Sequence, residues 1–160
     1  MNNRGFSLTE LIVVLGIVGI LIGIAAITGR DWMERYQVEG QTKELYADLM
    51  NARVSAMQRN RMFFMTLAAN QYAIYVDTSP SPDGNGSYDP GLDSLVMQKT
   101  TKYPLSFSSG SLNFTQNGLA SWPTGTVWTT STASPLSDCI ALSTTRILMG
   151  KMNGTNCVVQ

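Results

Sequence analysis

The sequence contains no histidine, which removes the commonest general base and the commonest transition-metal ligand. Without it there is no Ser-His arrangement, and no paired carboxylates sit on a recognisable scaffold, so the chain does not read as an enzyme. A basic excess is missing too. Lysine and arginine number 11 against 11 aspartates and glutamates, which does not describe a nucleic-acid surface. Charged residues make up only 14% of the 160 residues. No proline occurs before Pro80, so nothing in the first half of the chain forces a helix to stop. Cysteines number two, too few for a metal centre in a chain without histidine.

What is present is a long apolar run near the amino terminus. Residues 11–29 are nineteen uncharged positions dominated by Ile, Val and Leu. At about 1.5 Å per residue such a helix just crosses the hydrocarbon of a bilayer. A secretory signal peptide fits poorly, because its apolar core is shorter and a small-residue cleavage site follows it. A plain membrane anchor fits the run but leaves Glu10, a lone carboxylate at its leading edge, unexplained.

The octet Arg4-Gly5-Phe6-Ser7-Leu8-Thr9-Glu10-Leu11 resembles the prepilin motif of type IV pilins and type II secretion pseudopilins. The resemblance implies cleavage between Gly5 and Phe6 by a membrane-embedded prepilin peptidase, methylation of the new Phe6 amine, and loss of residues 1–5 as a leader. Arg4 holds that leader on the cytoplasmic side, and its removal leaves 10 basic against 11 acidic residues. The Phe6 amine then lies one helical turn from Glu10. In a filament of bundled helices Glu10 pairs with the Phe6 amine of a neighbouring subunit, so correct register neutralises a buried charge. A carboxylate snorkelling to the headgroups is the plainer alternative.

From Arg30 the helix becomes amphipathic. Val38, Thr42, Leu45, Leu49, Ala52, Ala56, Arg59 and Phe63 recur at spacings of three and four, one stripe for packing on a domain. Glu39 and Lys43 form an i,i+4 pair. The expectation is one helix of about 55 residues, with residues 6–29 as its membrane and filament half and 30–62 as its amphipathic half. Met57, Met62, Phe63, Phe64 and Met65 read as core. Past that point the period becomes two. Strands are expected at 64–69, 72–77, 92–99, 104–107, 111–115, 126–130, 139–143, 146–149 and 156–159. Asn70-Gln71, Asn117-Gly118 and Asn153-Gly154 read as turns, and Trp122-Pro123 as an interruption. The fold class is therefore α+β, a long amino-terminal helix packed on a mostly antiparallel β domain of two sheets at 63–160.

The order of these features after the helix, through Asp83-Gly84-Asn85-Gly86-Ser87-Tyr88-Asp89-Pro90-Gly91, Leu112-Asn113-Phe114, Asn117-Gly118 and a late strand with Arg146, is similar to the GspH/FimT group of minor pilins and pseudopilins. That resemblance implies the type IV pilin fold and a subunit near the tip of a helical filament, acting as an assembly primer. Its implied partners are other pilins, the prepilin peptidase, an inner-membrane platform and an assembly ATPase. The implied location is a single inner-membrane pass with the β domain periplasmic, then a periplasmic or cell-surface filament. A membrane-anchored binding protein that never polymerises is the competing reading.

Three smaller expectations concern the β domain. Cys139 and Cys157 have seventeen residues between them, and in an oxidising compartment a disulfide is the default, two separate thiols the alternative. Asp83, Asn85, Ser87 and Asp89 offer oxygens at alternate positions with Asp93 close behind, which suits calcium as readily as a solvated turn. No other cofactor is expected. Some FimT-like subunits capture DNA through a basic motif in late strands. Here that stretch is Thr144-Thr145-Arg146-Ile147-Leu148, and Arg146 with Lys151 would meet few phosphates.

Overall fold

The computed structural model describes residues 7–78, 84–121 and 124–159. Among these residues one helix and nine strands follow each other in chain order: α1 (Leu8–Arg59), β1 (Phe63–Ala68), β2 (Gln71–Val76), β3 (Ser94–Thr100), β4 (Leu105–Phe107), β5 (Ser111–Phe114), β6 (Thr124–Thr129), β7 (Cys139–Ser143), β8 (Ile147–Asn153) and β9 (Asn156–Val159). The helix has 52 residues and ends three positions before the expected boundary at 62. Asn60 stops it. Its φ of 51° is left-handed, a conformation that Asn tolerates, and its N–H donates to the Ala56 carbonyl.

The strands form two antiparallel sheets, one ordered β3-β2-β1-β5 and the other β4-β6-β7-β8-β9. The second half of α1 lies against both. Leu45, Leu49, Ala52 and Ala56 meet Phe63, Met65, Ile74, Leu112 and Phe114 from the first sheet, and Val127, Ile140, Leu142 and Ile147 from the second. The period of two in the strands delivers these side chains to one side of each sheet. Of the predicted helical stripe, Val38 to Ala56 is buried, whereas Arg59 is exposed and sits 5.7 Å from the centroid of the Phe63 ring. The core reading of the methionine and aromatic cluster needs correction at Met57, which is 45% exposed, and at half-buried Met62. Phe64 is buried on the opposite side of β1 from Phe63 and Met65, against the Tyr88 ring.

Two turns fall one residue from where the sequence pattern puts them. Ala68 pairs with Gln71, so Ala69 and Asn70 make the β1–β2 turn. Asn153 pairs with Asn156, so Gly154 and Thr155 make the last one, with Gly154 at φ +63° as a glycine-first hairpin turn requires. A bulge between Ile74 and Tyr75 shifts the β2–β3 register. The Trp122-Pro123 interruption lies outside the described residues.

Candidate assembly and membrane surface

Among the described residues, the apolar side chains in the first half of α1 stand exposed. Every large apolar side chain from Leu8 to Ile24 is at least 42% exposed, and a Cβ added at Gly16, Gly19, Gly23 or Gly29 would touch nothing. By length and composition this is a helix fit to cross a membrane. An uncovered apolar surface of this extent needs lipid or other helices around it.

Glu10 stands at the head of that surface. Ser7 is the N-cap, in extended conformation, and its hydroxyl accepts from the Glu10 N–H at 3.2 Å. Ser7-Leu8-Thr9-Glu10 thus has the spacing of a capping box, and the Glu10 carboxylate lies in the first turn, where the helix dipole favours it. The sequence carried this signal in plain sight. Gly5 and Phe6, the predicted cleavage and methylation pair, lie outside the described residues.

The domain grips the helix just beyond the apolar run. Glu34 accepts from the Ser131 and Thr132 hydroxyls at 2.5 and 3.3 Å, and the Ser131 bond first of all holds its carboxyl below the usual range. The Gln41 side chain donates to the Tyr103 carbonyl at 2.9 Å and accepts from the Tyr103 N–H at 3.0 Å. Gln37 accepts from Lys102 and from the Tyr103 hydroxyl. About two turns beyond Gln41, buried Asp48 accepts from the Tyr72 hydroxyl at 2.6 Å and pairs with Lys99 at 2.8 Å, while Lys99 also reaches Glu44 at 2.7 Å. Burial and then the Asp48 carboxylate push the Tyr72 hydroxyl well above its ordinary pKa, and the Asp48 and Glu44 bonds raise Lys99. These groups are 24 to 55 residues apart in sequence, and no spacing rule joins them.

Cys139 and Cys157 are joined in a disulfide with Cα atoms 5.9 Å apart. They sit on β7 and β9, with β8 between them in the sheet. Gly150 on β8 makes the approach feasible, since a Cβ there would run into the backbone of Val158 and Val159. Strand β9 therefore folds closely over β8 to reach β7.

The loop singled out for calcium is tied down by its own donors. The Asp93 carboxylate accepts from the N–H groups of Thr78 and Asp89 at 3.1 and 2.8 Å. Asn85 donates its side-chain amide to Asp89 at 2.7 Å and accepts from the Ser87 N–H at 2.8 Å. Buried Asp77, predicted only as a strand end, accepts from the N–H groups of Asn85 and Gly86. Gly84, at φ +80°, lies so close that any side chain would overlap the Asp77 carboxylate. Tyr88 closes the loop onto the sheet, 4.9 Å from the Tyr75 ring. Burial and then its Tyr75 hydrogen bond push its hydroxyl up to about 12. Asp83 lies outside the described residues, and among those described no group of three or more acidic, Cys or His side chains is arranged to hold a metal.

The two cations weighed for nucleic acid lie in different settings. Arg146 sits in the β7–β8 turn, where its backbone N–H donates to the Ser143 hydroxyl, and the Lys151 ammonium donates to the Ser134 hydroxyl. Arg53 donates to the Thr145 carbonyl beside the first of them.

Comparison with known proteins agrees with this architecture. Residues 1–26 match the family described as the prokaryotic N-terminal methylation motif. The pilin-like protein PilA1 of Thermus thermophilus is 33% identical over 94 residues, which are 57% of this chain. The match spans 56% of that relative's length. Among solved structures, the type IV minor pilin FimU of Pseudomonas aeruginosa superposes with a TM-score of 0.56 at 17% identity, covering 79% of this chain and 96% of FimU. The minor pseudopilin EpsH from the type 2 secretion system of Vibrio cholerae gives 0.53 at 13%, covering 72% and 97%. The chain thus carries an N-terminal methylation motif ahead of a fold similar to that of these pilin structures.

Proposed function

We propose that this chain is a structural subunit, a minor pilin or pseudopilin, of a type IV pilus or type II secretion filament. Prepilin peptidase cuts it between Gly5 and Phe6 and methylates the Phe6 amine, and until assembly α1 anchors it in the inner membrane with the β domain on the periplasmic side. The observation that carries the reading is Glu10, a carboxylate one turn into an apolar helix that its own chain leaves uncovered. In lipid an unpaired carboxylate costs several kcal/mol, so a partner ammonium supplied by a neighbour's Phe6 favours assembly and fixes its register. A minor role near the tip draws support from the fold it shares with FimU and EpsH, described as minor subunits. The platform and assembly ATPase act on the filament from the membrane and cytoplasm. The disulfide suits an oxidising compartment.

The test is Glu10→Ala in cells that build the filament. The variant is expected to remain in the membrane fraction and to vanish from sheared or purified filaments. Undiminished incorporation would show that Glu10 is not the assembly contact, and absence of the wild type itself from filaments would favour the anchored binding protein that never polymerises.

A further inference from the structure

The aromatic residues just past the apolar run are unaccounted for by the fold. Trp32 and Tyr36 stack on each other, centroids 6.0 Å apart and planes 17° from parallel, yet they are 66% and 67% exposed. Along a helix axis Trp32 lies about 4.5 Å beyond Gly29 and Tyr36 about 10 Å. Helical side chains lean toward the amino terminus, so both rings sit lower than their Cα atoms, toward the membrane. The interfacial layer on each side of the hydrocarbon is about 5–8 Å deep, which places the pair within it. Trp and Tyr favour that layer because one part of the ring is apolar and the other hydrogen-bonds to water and headgroups.

The domain reaches down to the same level. Its hydrogen bonds to Glu34, Gln37 and Gln41 hold the segments around Lys102-Tyr103 and Ser131-Thr132 within a turn or two of Trp32. Lys102 Nζ lies 5.7 Å from the centroid of the Tyr103 ring, so a second aromatic and a cation stand beside the first pair. The charged groups nearby are Arg30, Arg35 and Lys102 against Asp31 and Glu34, a small basic excess.

We propose that Trp32, Tyr36, Lys102 and Tyr103 form an interfacial collar that seats the β domain on the phospholipid headgroups of the outer leaflet while the chain awaits assembly. The surface is continuous with the membrane-crossing helix, and the proposal rests on that membrane reading. The collar sets the height and tilt at which the domain is presented to an incoming subunit, and it must be released from lipid when the helix enters a filament.

The test uses the full chain in phosphatidylcholine vesicles whose acyl chains carry bromine either near the glycerol or near the chain end. The emission lost between the wild type and Trp32→Phe reports Trp32 alone, because Trp122 and Trp128 are in both. Ile20→Trp in the Trp32→Phe background reports the middle of the span. Trp32 is expected to lose most emission with the shallow label and little with the deep one, while Ile20→Trp shows the reverse. Deep quenching at Ile20→Trp with Trp32 open to aqueous iodide and untouched by either lipid overturns the collar and leaves the spanning helix standing. No quenching at either position overturns the membrane reading together with the collar.

Discussion

The two halves of α1 share one continuous backbone and differ in what surrounds them. From Leu8 to Ile24 the apolar side chains face outward, none of the large ones less than 42% exposed. From Val38 to Ala56 the stripe is at most 4% exposed and wedged against both sheets. The first half is apolar all round, as a membrane or filament-core helix is, and the second is apolar on one stripe, as a domain helix is. Two selective pressures are thereby separated along one rod. Substitutions in the second half act on the stability of the domain, and those in the first act on what the domain is attached to.

The largest effect that sharpens this contrast is expected at Leu49, 1% exposed at the centre of the stripe. Leu49→Ala should cost about 2–5 kcal/mol, read by urea unfolding of the domain. If the loss is under 1 kcal/mol, the stripe is not the domain's core. Removing the disulfide comes next. With the cysteines 18 positions apart in sequence, Cys139→Ser with Cys157→Ser should cost about 3 kcal/mol, and Gly150→Ala should weaken the same strand crossing. A thermal midpoint that ignores reductant would contradict this.

A smaller effect is expected from Tyr72→Phe, about 1.5–3 kcal/mol for a hydrogen bond to a carboxylate. Tyr72 and Lys99 also give the domain a pH dependence. Both have pKa values raised on folding, from 10.0 and 10.5, so their stabilisation is complete below about pH 10 and is lost as pH rises through the folded values. Denaturant midpoints should fall above pH 10 in the wild type and fall less in Tyr72→Phe. A midpoint that rises there would reverse the sign of the argument. The smallest expected effect lies in the other half of the helix. Removing residues 1–29 should leave the domain's midpoint within experimental error, because the large apolar side chains described there, Leu8 to Ile24, are exposed rather than packed on the domain.

Local chemistry made much of this legible in the sequence. The apolar run, the three-and-four stripe and the switch to period two fixed one long helix and a two-sheet domain, and β7 and β9 fall where alternation puts them. Turns slipped by a residue because Asn, Gln and Gly mark a turn without marking its first position, as at Ala69-Asn70 and Gly154-Thr155. Met57 matched the core in composition and lies outside the buried stripe. What stayed hidden depends on tertiary approach. The Asp48–Tyr72–Lys99 cluster, the Asp77 carboxylate under Gly84 and the passage of β9 over Gly150 join residues that only the folded chain brings together. Ser7 was different: its spacing from Glu10 is a local rule, masked by the motif in which it is embedded.

The central claim is that this helix is trimmed at its cytoplasmic end before it joins others. Mass spectrometry of the chain purified from its native membrane tests it most directly. The account predicts an amino-terminal peptide beginning at N-methylated Phe6, with residues 1–5 gone. A chain that retains Met1 to Gly5, or one that begins at any residue other than Phe6, would contradict it.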